Sequence, residues 1–237
     1  MTIDFWTIYH AEKPPIRRAG GIVKQYIVPA AGFRLSGRFA SMNCYYDAWL
    51  SGERPDIIGF QAYRKHFCFT PGVPIGWRDT SLSEFYKYQD LLYEWDGDWI
   101  EELLQDSPYA YDMIITPPFD LTNQDGLTVD FCRSRSEQDW DMFMAAMDYT
   151  DWDWNINHVT SHWFVCKWAL FDEFMTAWWK VFKELEPCIK SKDAMGNTPY
   201  ASRAMDYLTE RFFTLWLASR PDIRTKTLPL LISWDAR

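Results

Sequence analysis

The chain has 237 residues and a mass of 28.2 kDa, which suits one domain spanning residues 1–237. Its formal charge of −9 excludes a general nucleic-acid binder and disfavours docking on anionic lipid, because both need surplus Lys and Arg. Hydrophobic residues make up 48% and charged residues 24%, so a packed core is affordable and wholesale disorder is excluded.

No apolar run reaches the length of a membrane span. The opening residues lack the basic and apolar regions of a signal peptide. Five widely spaced cysteines, Cys44, Cys68, Cys132, Cys166 and Cys188, suggest neither a disulfide framework nor a zinc site; reduced and mostly buried thiols are the plain expectation. These features point to a cytoplasmic protein.

Residues 2–9 read as a first strand, rich in β-branched and aromatic side chains. A loop rich in Pro, Gly and Arg leads to a possible second strand over 25–29. Residues 38–51 carry Phe39, Met42, Tyr46, Trp49 and Leu50 at helical spacing, with Gly52 placed to end the helix. Asp56 to Phe60 reads as a buried strand, and 71–79 as a Pro/Gly loop. Ser81 to Glu84 forms a capping box that opens a helix to about residue 95.

A short helix follows over 97–105, then a buried strand over 111–116 and a long loop over 117–135. A helix begins at Ser136 and carries Trp140, Phe143, Met144 and Met147. Residues 162–166 read as a strand. Residues 168–186 form the clearest amphipathic helix. Thr198 and Pro199 start a last long helix, reaching about residue 219, and a final strand covers 225–232. This alternation predicts an α/β fold with a mainly parallel sheet. In such folds ligands sit beyond the carboxyl ends of the strands.

The segment most suggestive of chemistry is Tyr63-Arg64-Lys65-His66, directly after the buried strand. Three cationic side chains there could hold a diphosphate, Arg64 in bidentate fashion and Lys65 as a point charge. A solvated surface turn is the alternative. Three D-x-D pairs occur, Asp96/Asp98, Asp139/Asp141 and Asp151/Asp153. None follows an apolar strand, so they read as solvated faces rather than metal ligands. His158 and His162 lack the intervening Glu of a zinc-binding helix. No P-loop, dinucleotide fingerprint or nucleophile elbow is present. Arg203, Tyr207, Glu210 and Arg211 fall near one helix face, either as an ion-pair network or as groups reaching a site.

Several segments together resemble a bacterial family of glycosyltransferase-like proteins, domain of unknown function 4422, associated with capsular and surface polysaccharide biosynthesis. The resemblance rests on Ile8-Tyr9-His10 with Lys13-Pro14, on Tyr26 to Pro29, and on Tyr45 to Trp49. It rests further on Asp56 to Phe60 followed by Tyr63 to Phe67, on Tyr111 to Ile115, and on Trp163 to Lys167 with Phe171 to Phe174. Tyr200 to Arg203 and Glu210 to Leu217 complete it. Three positions depart from the family pattern. Ala62 replaces a His, His162 replaces an Asn, and Ser41-Met42-Asn43 replaces Glu-Leu-Thr.

The resemblance implies a fold similar to the nucleotide-sugar-binding fold of type A glycosyltransferases. It implies transfer of a sugar from a nucleotide-sugar donor to a glycan or lipid-linked glycan acceptor, with the protein cytoplasmic or peripheral at the inner membrane face. On this reading Tyr63, Arg64, Lys65, His66 and Arg203 face the donor diphosphate. His10, His162 and Glu210 are candidates for general base or acceptor orientation. Side-chain cations where D-x-D is usual suit a metal-independent site, with no cofactor required, although Mn²⁺ or Mg²⁺ remains compatible. The alternatives are an inactive carbohydrate-binding or scaffold protein of the same fold, and a nucleotidyl or phosphoryl transferase, which would need a carboxylate pair at a strand end.

Overall fold

The structure is a computed structural model that describes residues 1–10, 23–28, 35, 39–63, 65–68, 75–79, 81, 98–105, 109–118, 137–147, 159, 161–189 and 204–232. Its strands are β1 (Ile3–His10), β2 (Val23–Val28), β3 (Ile57–Ala62), β4 (Lys65–Phe67), β5 (Trp77–Asp79), β6 (Met113–Ile115), β7 (Phe164–Lys167), β8 (Thr225–Thr227) and β9 (Leu230–Ile232). Its helices are α1 (Met42–Leu50), α2 (Asp98–Leu104), α3 (Glu137–Met147), α4 (Trp168–Leu185) and α5 (Ala204–Ala218).

All nine strands join one sheet. The α/β class stands, but the sheet is mixed rather than mainly parallel. β1 runs parallel to β2 and β3, β5 to β9, and β6 to β8. β4 and β7 run antiparallel to β3, β9 to β4, and β6 to β7. The antiparallel share arises because β3 returns directly as β4. The expected strand over 225–232 is likewise two. Pro229 has no N–H for a ladder, and its carbonyl accepts from the Cys68 backbone N–H. β8 and β9 on either side of it serve different partners. β5 lies within the expected Pro/Gly loop; at three residues it is too short to show a period. The expected helix over 81–95 and the loop over 119–135 lie outside the described residues.

β3 is the hub. Along its whole length it pairs with β1, from Ile3 opposite Ile57 to Ile8 opposite Ala62. Its other edge is divided. Residues 57–59 pair with β7, while Ala62 pairs with Lys65 of β4. Helices cover the face that carries Phe60. Tyr45 of α1 stacks on Phe60 at 3.7 Å between centroids, and Phe171 of α4 sits at 5.4 Å. Phe164 of β7 stacks on Phe213 of α5 at 5.2 Å. Trp178 and Phe182 of α4 stack at 5.0 Å. The aromatic richness of the sequence is thus spent largely on this core, where rings supply area and edge-to-face contacts.

α5 is buried nearly all round. It therefore shows no simple apolar stripe, and its polar side chains, Asp206, Thr209 and Thr214, are enclosed. Thr209 Oγ1 donates to the Met205 carbonyl at 2.8 Å and accepts from Trp178 Nε1 at 2.9 Å. Buried hydroxyls satisfied in this way carry little penalty. Among the described residues, no helix is long and apolar enough to cross a membrane. Cys44, Cys68 and Cys166 are buried and unbridged, and Cys188 is exposed.

Gly59 lets β1, β3 and β7 close on one another. A Cβ there would run into the Phe5 ring and come within 2.9 Å of Val165 Cγ2. Both neighbours are core groups, so neither can swing away. Gly59→Ala should therefore destabilise the fold by about 2–3 kcal/mol, read as a lower urea midpoint. A midpoint equal to wild type would show that the three strands can spread at no cost.

Candidate functional site

The carboxyl ends of β1 and β3 form one edge of the sheet. Ile8 lies opposite Ala62, and the Tyr63 backbone N–H donates to the Ile8 carbonyl at 3.0 Å. His10 ends β1 two residues further along. β3 turns back at Tyr63, so Lys65 begins a return strand instead of prolonging the edge. Tyr63 is buried, with its ring 6.2 Å from that of Tyr9. Lys65 is half-buried and its Nζ donates to Ser161 Oγ at 3.5 Å. The Ser161 carbonyl accepts from Thr116 Oγ1 at 3.4 Å. The divided edge of β3 therefore brings Lys65 of β4 beside the segment entering β7. Arg64 and Arg203 lie outside the described residues.

His66 departs from the sequence expectation. Alternation along β4 turns it into the core, where it is 2% exposed. Gln61 organises its surroundings. Gln61 Nε2 lies 3.0 Å from Thr7 Oγ1 and 3.2 Å from His66 Nδ1, and Gln61 Oε1 accepts from the Phe67 N–H at 3.3 Å. With an amide donor on Nδ1, the ring proton is assigned to Nε2. Burial pushes the His66 pKa down to about 3, against a smaller upward pull from the Tyr63 backbone. A neutral imidazole supplies no charge to a diphosphate, so His66 serves to anchor the hairpin.

His162 is also in the core, at 1% exposure, with Asp206 at 2%. Ser41 Oγ lies 2.9 Å from His162 Nε2 and 2.5 Å from Asp206 Oδ1. The single hydroxyl proton goes to the carboxylate, so His162 Nε2 is the donor to Ser41. Asp206 Oδ1 is itself 3.7 Å from that nitrogen. The Tyr45 hydroxyl donates to the His162 carbonyl at 2.6 Å.

The residue types are those of a hydrolytic triad, but the order is not. A triad needs the His between carboxylate and hydroxyl; here the hydroxyl lies between the other two, and all three are enclosed. The cluster joins the start of α1, the approach to β7 and the first turn of α5. A general base must reach the acceptor hydroxyl, and the enclosed ring of His162 does not. Two departures from the family pattern, Ser41 and His162, thus touch each other.

Ser41 occupies the N-cap of α1 yet makes no side-chain cap bond. Its hydroxyl is given to the cluster instead, where a cap would otherwise contribute about 1 kcal/mol. The preceding Ala40 has φ +40°, a left-handed conformation costly for a residue with a Cβ. The backbone is thus held in an unfavourable turn where Ser41 joins the cluster. The composition and chain distance of this cluster gave no sequence signal; the three residues are far apart and match no spacing rule.

Glu210 is partly exposed, and its Oε2 accepts from Arg211 Nη1 at 3.0 Å. That favours the ion-pair reading of this helix face. Asp139 is buried in the first turn of α3, not on a solvated face as its D-x-D spacing suggested; Asp141 is exposed. Among the described residues, no three His, Cys, Asp or Glu side chains gather as a metal set. Asp96 and the Asp151/Asp153 pair lie outside them.

Two outcomes follow. The unfolded chain protonates His66 near its ordinary pKa of 6.5, whereas the folded chain resists until about 3. Stability from neutral His66 is therefore present above pH 6.5 and lost as pH falls towards 3, at up to about 1.4 kcal/mol per pH unit. Urea midpoints of wild type and His66→Asn, which keeps an acceptor for Gln61, should converge as pH drops from 7.5 to 4.5; parallel curves would contradict the buried neutral ring. Ser41→Ala removes the shared hydroxyl and should cost about 1–3 kcal/mol. An unchanged melting temperature would show that His162 and Asp206 do not depend on it.

A solved structure of the bifunctional glycosyltransferase WbbM in its apo form superposes over 99% of this chain with a TM-score of 0.70 and 14% sequence identity. The fold is therefore glycosyltransferase-like. The chain spans 46% of the length of that protein, about half. No curated protein matches the sequence. The family model described as a domain of unknown function, DUF4422, matches residues 36–221, most of the chain and every element from α1 to α5, and the chain belongs to that family.

Proposed function

We propose that the chain is one glycosyltransferase domain that moves a sugar from a nucleotide-sugar donor to a growing capsular or surface polysaccharide. The observation that carries the reading is the Tyr63–Lys65 reversal at the carboxyl end of the hub strand β3, with Lys65 beside Ser161, on a fold similar to that of a solved glycosyltransferase. Ligands of α/β sheets bind at that edge.

In the transfer, an acceptor hydroxyl oxygen bonds to the anomeric carbon and the carbon–oxygen bond to the diphosphate breaks. The bonding pair leaves with the diphosphate, and the hydroxyl proton passes to a base. The transition state has oxocarbenium character. Positive groups fixed beside the leaving oxygen stabilise the charge as it forms. Lys65, Arg64 and Arg203 take this role, and Tyr63 and His66 hold the reversal in place. His10, at the end of β1, is the favoured base because His162 is enclosed and Glu210 is engaged with Arg211. Asp96 and the Asp151/Asp153 pair are the carboxylates open to a divalent ion should the donor bring one. The acceptor is a glycan, free or lipid-linked, and the protein works at or near the inner membrane face.

A non-enzymatic glycan-binding protein of the same fold is the second reading. It is favoured by Ala62, which places no proton-carrying group beside the reversal. Thermal-shift titration against UDP-, GDP-, CMP- and dTDP-sugars, with Mn²⁺ or EDTA, separates the two. One donor class should raise the melting temperature by mass action, and Arg64→Ala or Lys65→Ala should remove the shift while leaving the unliganded melting temperature in place. Donor binding that tolerates both substitutions would refute the assignment.

A further inference from the structure

A second pocket lies away from the reversal. α1 runs antiparallel to β3. Its start, at Ser41, is at the carboxyl end of the strand, and its end faces the opposite end of the sheet. There, between α1 and the β1–β2–β3 face, a pocket of about 180 Å³ is lined chiefly by Asp4, Trp6, Tyr26, Asp47, Glu53 and Trp168. Its volume suits one six-membered sugar ring and is too small for a nucleoside diphosphate. From the structure we infer that this pocket is a glycan-holding subsite for a neutral or amine-bearing pyranose unit, separate from the site of transfer. The inference deepens the proposed reading by naming the class of glycan and rests on that reading for the expectation that a glycan is the partner.

The chemistry of the walls carries the inference. Trp6 and Tyr26 meet edge to face, 82° apart at 6.4 Å, and Trp168 adds a third ring. Aromatic walls with a few placed polar groups are the usual make-up of a small-molecule site. The Tyr26 hydroxyl donates to Asp47 Oδ2 at 2.5 Å, which fixes both side chains in place. Trp6 Nε1 is buried and has no acceptor among the described residues. A buried donor without an acceptor costs free energy, and a sugar hydroxyl or ring oxygen would supply one. The carboxylates of Asp4, Asp47 and Glu53 only accept, which matches the many O–H donors of a pyranose.

Charge sets the selectivity. Lys24 Nζ lies 2.6 Å from Asp4 Oδ1, 3.9 Å from Glu53 Oε2 and 5.2 Å from the Trp6 ring centre. One ammonium against three carboxylates leaves the pocket net negative. It therefore repels phosphates and uronates and accepts uncharged or amine-bearing rings. The pocket itself already holds an ammonium of this kind, the chain's own Lys24, against an aromatic face.

The test is saturation-transfer NMR and calorimetric titration of the full chain with cellotriose, mannotriose, chitotriose, partly deacetylated chitotriose and trigalacturonate. At least one neutral or amine-bearing trimer should bind and trigalacturonate should not. Trp6→Phe, which deletes the indole N–H, and Asp47→Asn, which keeps an acceptor for Tyr26 but removes the charge, should each weaken binding by about tenfold or more. Asp47→Asn is the arm to read if Trp6→Phe does not fold. Absence of binding by every neutral and amine-bearing trimer, equal affinity in the folded variants, or preference for the uronate would overturn the inference. Nucleotide-sugar thermal shifts are run on the same variants. Trimer binding with no donor shift would sink the transferase reading alone, and a donor shift with no trimer binding would sink this pocket alone.

Discussion

The fold turns on how β3 shares its hydrogen-bonding edges. One edge is given whole to β1, while the other is divided between β7 near its start and β4 at its end. A buried strand must place every backbone N–H and C=O, so the division leaves little freedom in where β4 and β7 run. It holds Lys65 on one branch and Ser161 at the approach to the other, within reach of each other. Gly59 is the steric condition for the arrangement, because Phe5 and Val165 fill the space that a side chain would take. The site and the packing are therefore consequences of one strand's pairing.

Around that strand the protein separates two kinds of polar chemistry. The buried kind is structural. Gln61 ties Thr7, His66 and the Phe67 backbone together under the reversal, and Ser41 joins His162 to Asp206. Satisfied networks of this kind specify one arrangement of the core, since each member would be costly alone. The accessible kind lies at the two ends of the sheet. Positive charge follows β3 at the carboxyl end, and carboxylates with aromatic rings line the pocket at the other. An overall charge of −9 is compatible with a local site for an anionic donor, because the cations are concentrated where the hub strand ends.

Several elements were legible from residues alone. Asp56 to Phe60 showed as a buried strand because an apolar run bounded by Pro55 leaves few other options. Helix α4 showed through its apolar stripe, and α1 through Tyr46, Trp49 and Leu50. The reversal at Tyr63 was visible as a place where charge follows a buried strand. His66 was not readable as a core residue. A Lys-His-Phe triplet is too short to reveal a period of two, and its burial depends on Leu231 arriving opposite it. The Ser41–His162–Asp206 cluster spans sequence separations of 121 and 165 residues, and no local pattern encodes such a meeting.

What the sequence by itself determined is what depends on near neighbours: the alternation of strands and helices, the identity of the apolar faces, the lack of nucleic-acid character, and the family resemblance that the DUF4422 match now carries. What only the tertiary structure decided is what depends on distant pairing. The mixed order of the sheet, the neutral state of His66, the enclosure of His162 and Asp139, and the aromatic pocket under α1 all belong there. The physical reason is that propensity and periodicity act over a turn or a strand, whereas burial sets the charge and reach of a side chain. Burial is settled only when segments far apart in the chain close over it.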